Sequence, residues 1–147
     1  LMSSEWSTEA GRRPVAQQLG ILLVICEDDL HTLGCATIAA RLRYAGHSVR
    51  LVFGATQQDI RKALRQDWYD LVMFSCGRRQ ALDTVSQVVK HIHATMRDVP
   101  PLVLGGLILP QIPDAQTITG VDLATNDLQI ALKLCDARAV GKKLVAE

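Results

Sequence analysis

Apolar residues along the chain recur in two alternating rhythms. Gly20-Ile-Leu-Leu-Val-Ile-Cys26 is an unbroken apolar run rich in β-branched residues, the pattern of a strand buried on both faces. Asp28, Asp29 and Thr32 then offer N-cap chemistry, and Ala36–Ala45 carries apolar residues at helical spacing until Gly46 closes it. Ser48–Phe53 alternates like a strand with one more exposed face, and Thr56 caps a second helix to about Gln66. Asp70–Ser75 is a third, buried strand. Arg79–Met96 is the longest helix, with Leu82, Val85, Val88, Val89 and Ile92 on one stripe. Pro100–Gly106 is a fourth strand ended by glycines. The stretch from Leu107 to Ile118, interrupted by Pro110 and Pro113, is loop or one or two helical turns. Val121–Ala124 is a short fifth strand, and Asn126 caps a last helix reaching Leu134 or Cys135.

Strand and helix repeated about five times predict an α/β fold with a parallel sheet and helices on both faces. Right-handed crossovers make it doubly wound, flavodoxin-like (Rossmann-like) and five-stranded, in the order 2-1-3-4-5. Ligands of such folds bind at the carboxyl ends of the strands, near the point where strand order reverses. That rule selects Glu27–Gly34, Ser75–Arg78, Gly105–Gly106 and Thr125–Asp127. Residues 1–19 read as a polar linker, 20–136 as the domain and 137–147 as a tail.

Composition narrows the classes of function. A chain of 147 residues, 48 % hydrophobic and 21 % charged, suits one globular domain. With 16 Lys and Arg against 15 Asp and Glu, it has no basic surface for simple electrostatic DNA binding. No apolar run is long enough to span a bilayer, and Leu1–Gly20 lacks the apolar core of a signal peptide. A cytoplasmic location is expected, and a first residue other than Met suggests a piece of a longer chain. Cys26, Cys35, Cys76 and Cys135 include no C-x-x-C spacing, so inert thiols are the default. Cys35 and Cys76 nonetheless lie near the predicted ligand end, as a possible sixth ligand or redox switch. His91 and His93 fall on different sides of the long helix, and His47 enters strand 2 away from the ligand end.

The first loop invites a phosphoacceptor reading, because Cys26-Glu-Asp-Asp29 puts acids after strand 1. Such receiver chemistry needs an aspartate at the end of strand 3 and a lysine after strand 5. Ser75 and Ala124-Thr-Asn-Asp127 stand there instead, which argues against a working phosphorelay domain and leaves a degenerate, phosphate-free receiver as the competitor.

The same loop also reads Asp29-Leu-His31-Thr-Leu-Gly34, an Asp-x-His-x-x-Gly motif. A loop histidine can present one ring nitrogen to a metal while the aspartate accepts from the other and fixes the tautomer. Gly34 allows the chain to bend and a bulky planar ligand to approach. At these residues the chain resembles the cobalamin-binding domain family. It also carries that family's serine after strand 3 (Ser75), its Gly105-Gly106 pair after strand 4, and its Gly120-Val-Asp122 and Thr125-Asn-Asp127 pattern. The resemblance spans about Gly20 to Leu134.

One departure is Ser75-Cys76-Gly77 in place of the family's Ser-x-Leu, which removes an apolar wall of the nucleotide-tail slot. The run Glu27-Asp-Asp-Leu-His-Thr-Leu-Gly-Cys35 is similar to the branch described as sensors containing haem instead of cobalamin, found in AppA-type photosynthesis-gene regulators and, in related form, in PpaA/AerR-type regulators. That resemblance implies haem b as cofactor, with cobalamin as the alternative. It implies His31 as axial metal ligand and Asp29, Gly34, Ser75, Gly105, Gly106 and Thr125 at the cofactor site. The implied partners are a neighbouring flavin-binding light-sensing domain and a PpsR-like transcriptional repressor that the regulator antagonises. Haem and corrinoid metals both accept a neutral imidazole; haem lacks a nucleotide tail, so Gly77 tilts the choice toward it. No hydrolase elbow, zinc-protease motif or phosphate loop appears. A non-enzymatic sensor is therefore expected, against a cofactor-free interaction domain or a corrinoid carrier.

Overall fold

A computed structural model describes residues 18–26, 32–53 and 56–136, with the backbone alone for Thr32 and Leu33. The chain runs β1 (Gly20–Ile25), α1 (Thr32–Tyr44), β2 (Ser48–Val52), α2 (Gln57–Gln66), β3 (Leu71–Ser75), α3 (Arg79–Thr95), β4 (Leu102–Gly105), α4 (Ala115–Thr119) and β5 (Leu123–Ala124). A last helix, α5, covers residues 128–136. The strands form one parallel sheet in the order β2-β1-β3-β4-β5, the doubly wound fold expected from the sequence.

Side chains alternate across each strand, which divides the core in two. Leu22, Val24, Val72, Phe74, Leu102 and Leu104 face one side, where they meet Ile60 of α2 and Val85 and Ile92 of α3. Ile21, Leu23, Ile25, Leu71 and Val103 face the other, against Ala39 and Leu42 of α1 and Ala131 and Leu132 of α5. Both strand faces are covered, which explains why β1 and β3 read as continuous apolar runs.

Local chemistry sets the element ends. Thr56 and Asp59 form a reciprocal capping box that starts α2. Gly46, at φ +98°, ends α1, and His47 N–H donates back to the Leu42 carbonyl at 3.0 Å. Buried His47 accepts from Leu19 N–H through Nδ1 at 3.1 Å, which ties the entrance of β1 to that of β2. β5 is shorter than its apolar pattern predicts because Asp122 serves β4: its carboxylate accepts from Leu102 N–H at 2.8 Å. Asp70 does the same for Gly20 at 2.8 Å. The Gly-x-Asp pattern at Gly120–Asp122 is thus a strand clamp at the amino end of the sheet, opposite the site.

α5 starts one residue later than expected. Asp127, not Asn126, caps it, accepting from Gln129 N–H at 2.9 Å. Asn126 has another task at the site.

Candidate functional site

Parallel strands bring the loops after β1, β3, β4 and β5 to one end of the sheet. A cleft opens there between the sheet, α1 and the start of α5. Leu23, Met73, Ile38 and Leu128 form its apolar walls. Ser75, Gly105, Gly106 and Thr125 through Asp127 line the rest. Four of the seven residues expected at the cofactor site therefore meet at one place: Ser75, Gly105, Gly106 and Thr125. Gly34 stands one helical turn before Ile38, exposed, with nothing within 4 Å of where a Cβ would lie. It sits inside α1 without a left-handed φ, so the open space above it, rather than a bend, is what its missing side chain provides. Asp29 and His31 lie outside the described residues.

Each of the four meeting residues has an identifiable local role. Ser75 ends β3, and its hydroxyl lies 3.3 Å from Cys35 Sγ, a contact joining α1 to the sheet across the mouth of the cleft. Thr125 N–H extends the ladder to the Leu104 carbonyl at 2.9 Å, while its hydroxyl accepts from Asp127 N–H at 3.0 Å. Gly106 has φ +112° and packs so closely on the Cys76 backbone that a Cβ could not fit. Only glycine serves there. Ile108 N–H then donates to the Cys76 carbonyl at 3.1 Å, which locks the loop after β4 onto the end of β3.

Asn126 is the residue the sequence reading missed. Its side-chain oxygen accepts from Gly106 N–H at 2.6 Å and its amide donates to the Gly106 carbonyl at 3.1 Å. The same oxygen lies 3.0 Å from the Cβ position of Gly105. The amide thus holds the Gly106 backbone and occupies the space left by the missing side chain of Gly105, while the Cys76 backbone occupies that of Gly106. The motif Thr-Asn-Asp contains Asn126, but helix-cap preference alone made it look like the cap.

The cleft that remains encloses about 40 Å³. It is narrow, bordered by Asn126 and by Ser75, whose hydroxyl meets Cys35. Gly77 is not among the lining residues, so the wall expected to be missing there does not border this cleft. Phe53, just past β2, is 48 % exposed and Leu107, just past β4, is 54 % exposed. Among the described residues no group of three or more His, Cys, Asp or Glu is assembled for a metal ion, and no helix is long and apolar enough to cross a membrane.

Known proteins place this architecture. A protein of Rhodobacter capsulatus described as an uncharacterized 20.5 kDa protein in the bchF-crtJ intergenic region is 30 % identical over 112 residues, which cover 76 % of this chain and 58 % of that protein. A crystal structure of a cobalamin-binding protein from Desulfitobacterium hafniense DCB-2 shares the fold with a TM-score of 0.69 at 20 % identity, over 82 % of this chain and 58 % of that one. The chain thus spans less than two thirds of the length of either relative. The model of the B12 binding domain family matches residues 20–128. That match covers the whole sheet and reaches the first residue of α5; the chain belongs to the B12 binding domain family.

Proposed function

We propose that this domain is a tetrapyrrole-binding regulatory module that holds haem b, with His31 as axial ligand and Asp29 orienting its imidazole. The observation that carries the choice of ligand is the tail cleft: about 40 Å³ in volume, with Asn126 laid over the glycine pair. A haem needs no such cleft, whereas cobalamin held through an extended nucleotide tail does. Gly34 leaves open space for a ring to approach α1, and Phe53 and Leu107 offer apolar contact. Bound haem supplies an iron whose redox and ligand state can change. The protein's own part is to position the imidazole and to couple the ends of β1, β3 and β4 through the Cys26–Ser75, Cys76–Gly105 and Ile108–Cys76 backbone bonds.

In this reading the module is not an enzyme. Cofactor state biases the ligand-end loops between two arrangements, and a neighbouring flavin-binding domain and a PpsR-like repressor respond. The AppA-type and PpaA/AerR-type resemblance supports that role, as does a relative encoded in a photosynthesis gene cluster. A second reading, cobalamin as the natural ligand, is favoured by family membership.

Absorbance titration of the purified chain with haemin, hydroxocobalamin and the tail-free corrinoid cobinamide separates these readings. Haemin binding that shifts its Soret band and is lost in His31→Ala is expected. Tight binding of hydroxocobalamin with little of haemin transfers the site to the second reading. Absence of binding by all three removes both.

A further inference from the structure

The sheet sorts the cysteines, all of which carry thiols. Cys26 directly follows β1 and Cys76 directly follows β3, two adjacent parallel strands. The last ladder pair is Ile25 with Ser75, and Cys26 N–H continues the pattern by donating to the Ser75 carbonyl at 3.2 Å. In a parallel ladder, an N–H bonded to the carbonyl of one residue stands opposite the next residue. Cys26 therefore faces Cys76 directly. Their side chains also share a face: Cys76 belongs to the core with Val24 and Phe74, and Cys26 packs against that same core. Cys35 lies on the opposite face, with Ile25 and against Ser75. The sheet separates Cys35 from Cys76, so the two thiols singled out in the sequence cannot act together. Cys135 is on that opposite face too, beside the Asp70 carbonyl at the amino end of β3.

We propose that Cys26 and Cys76 form a reversible oxidation site that closes to a disulfide when it meets a hydroperoxide. Neighbouring strands lie about 4.8 Å apart, within the Cα separation of roughly 4.4–6.8 Å that disulfides span. Their Cβ atoms prefer about 3.8 Å, so the bond forms with a local tightening of the strand ends. A disulfide under such tension is readily reduced again. Access is asymmetric. Cys26 is half-buried and Cys76 is 1 % exposed, which makes Cys26 the attacking thiol and Cys76 the resolving one.

Deprotonated Cys26 attacks the peroxide oxygen, giving a sulfenic acid and, once the leaving hydroxide takes up a proton, water. The Cys76 sulfur then attacks the Cys26 sulfur. Its thiol proton leaves with the sulfenic hydroxyl as a second water. Two thiols lose two electrons and two protons in all, and one hydrogen peroxide becomes two waters. The chain leaves β1 at Cys26 for the segment that carries Asp29 and His31, so the bond tightens the base of the ligand-end loop. The proposal stands apart from the tetrapyrrole reading and is tested without any cofactor.

The reduced 147-residue chain is treated with hydrogen peroxide, blocked with an alkylating reagent, digested and mapped by mass spectrometry. Loss of two thiols per chain is expected, together with one Cys26–Cys76 linked peptide, a monomer on a non-reducing gel and full reversal by dithiothreitol. A Cys35→Ser/Cys135→Ser double variant keeps the link, and Cys26→Ser or Cys26→Ala abolishes it. The proposal is overturned if Cys26 ends as a sulfinic acid beside a Cys76 thiol, if either residue links to Cys35, Cys135 or a second chain, or if peroxide consumes no thiol.

Discussion

Two glycines at the ligand end have opposite physical duties, and substitutions separate them. Gly106 has a left-handed φ and no room for a Cβ against the Cys76 backbone, so Gly106→Ala is expected to cost about 2 kcal/mol or more in chemical denaturation. Gly34 lies in α1 with open space above it. There, Gly34→Ala is expected to stabilise the free domain by roughly 0.5–1 kcal/mol while weakening tetrapyrrole binding. Unchanged haemin affinity in that variant would place the ring elsewhere. Asn126 supplies the third test. Its amide spans both backbone groups of Gly106, and Asn126→Ala uncovers the glycine pair and widens the cleft. The expected result is a gain in affinity for hydroxocobalamin and little change for cobinamide, measured by the same spectral titration. Equal gains for both would mean that Asn126 does not guard a tail slot.

At the scale of elements, the strands and helices were legible because burial on both faces gives unbroken apolar runs such as Ile21–Ile25, and because caps have local chemistry. The Thr56–Asp59 box shows that chemistry in ionisable form. Backbone and side-chain hydrogen bonds with Thr56 hold the Asp59 carboxyl below its ordinary value of 3.8. A depressed folded-state value means that this contribution is present above the unfolded value and is lost as pH falls through the folded one. The protection factor against hydrogen exchange at the first turn of α2, taken relative to the intrinsic rate at each pH, is therefore expected to fall on acidification below the ordinary carboxylate range, and Asp59→Asn should flatten that dependence. What the sequence left illegible were roles that depend on pairing across the fold. Asn126 and Asp127 are both good caps by residue type, and only the position of Gly106 decides which one caps α5. Asp122 belongs to the family pattern Gly120-Val-Asp122, and only the register of β4 shows it to be a strand clamp. Cys35 and Cys76 both read as lying near the ligand end, and only the alternation of side chains shows that they belong to opposite faces of the sheet.

The described residues form one sheet with two cores, and each core must be intact for the ligand end to hold together. Leu104 is fully buried on the face that carries α2 and α3. Leu104→Ala is expected to cost about 2–5 kcal/mol in chemical denaturation. Fold class, strand order and the meeting of Ser75, Gly105, Gly106 and Thr125 all follow from the parallel arrangement, which is why four separate short motifs carried so much information. The proposed choice of haem rests instead on the narrowness of a cleft of about 40 Å³, which no motif encodes. The most direct test of that choice is the absorbance spectrum of the purified chain titrated with equimolar haemin and, separately, hydroxocobalamin, each repeated with His31→Ala. A saturable Soret shift with haemin that His31→Ala abolishes, beside weak hydroxocobalamin binding, is the expected result. Preferential binding of hydroxocobalamin, or a haemin spectrum indifferent to His31→Ala, would contradict it.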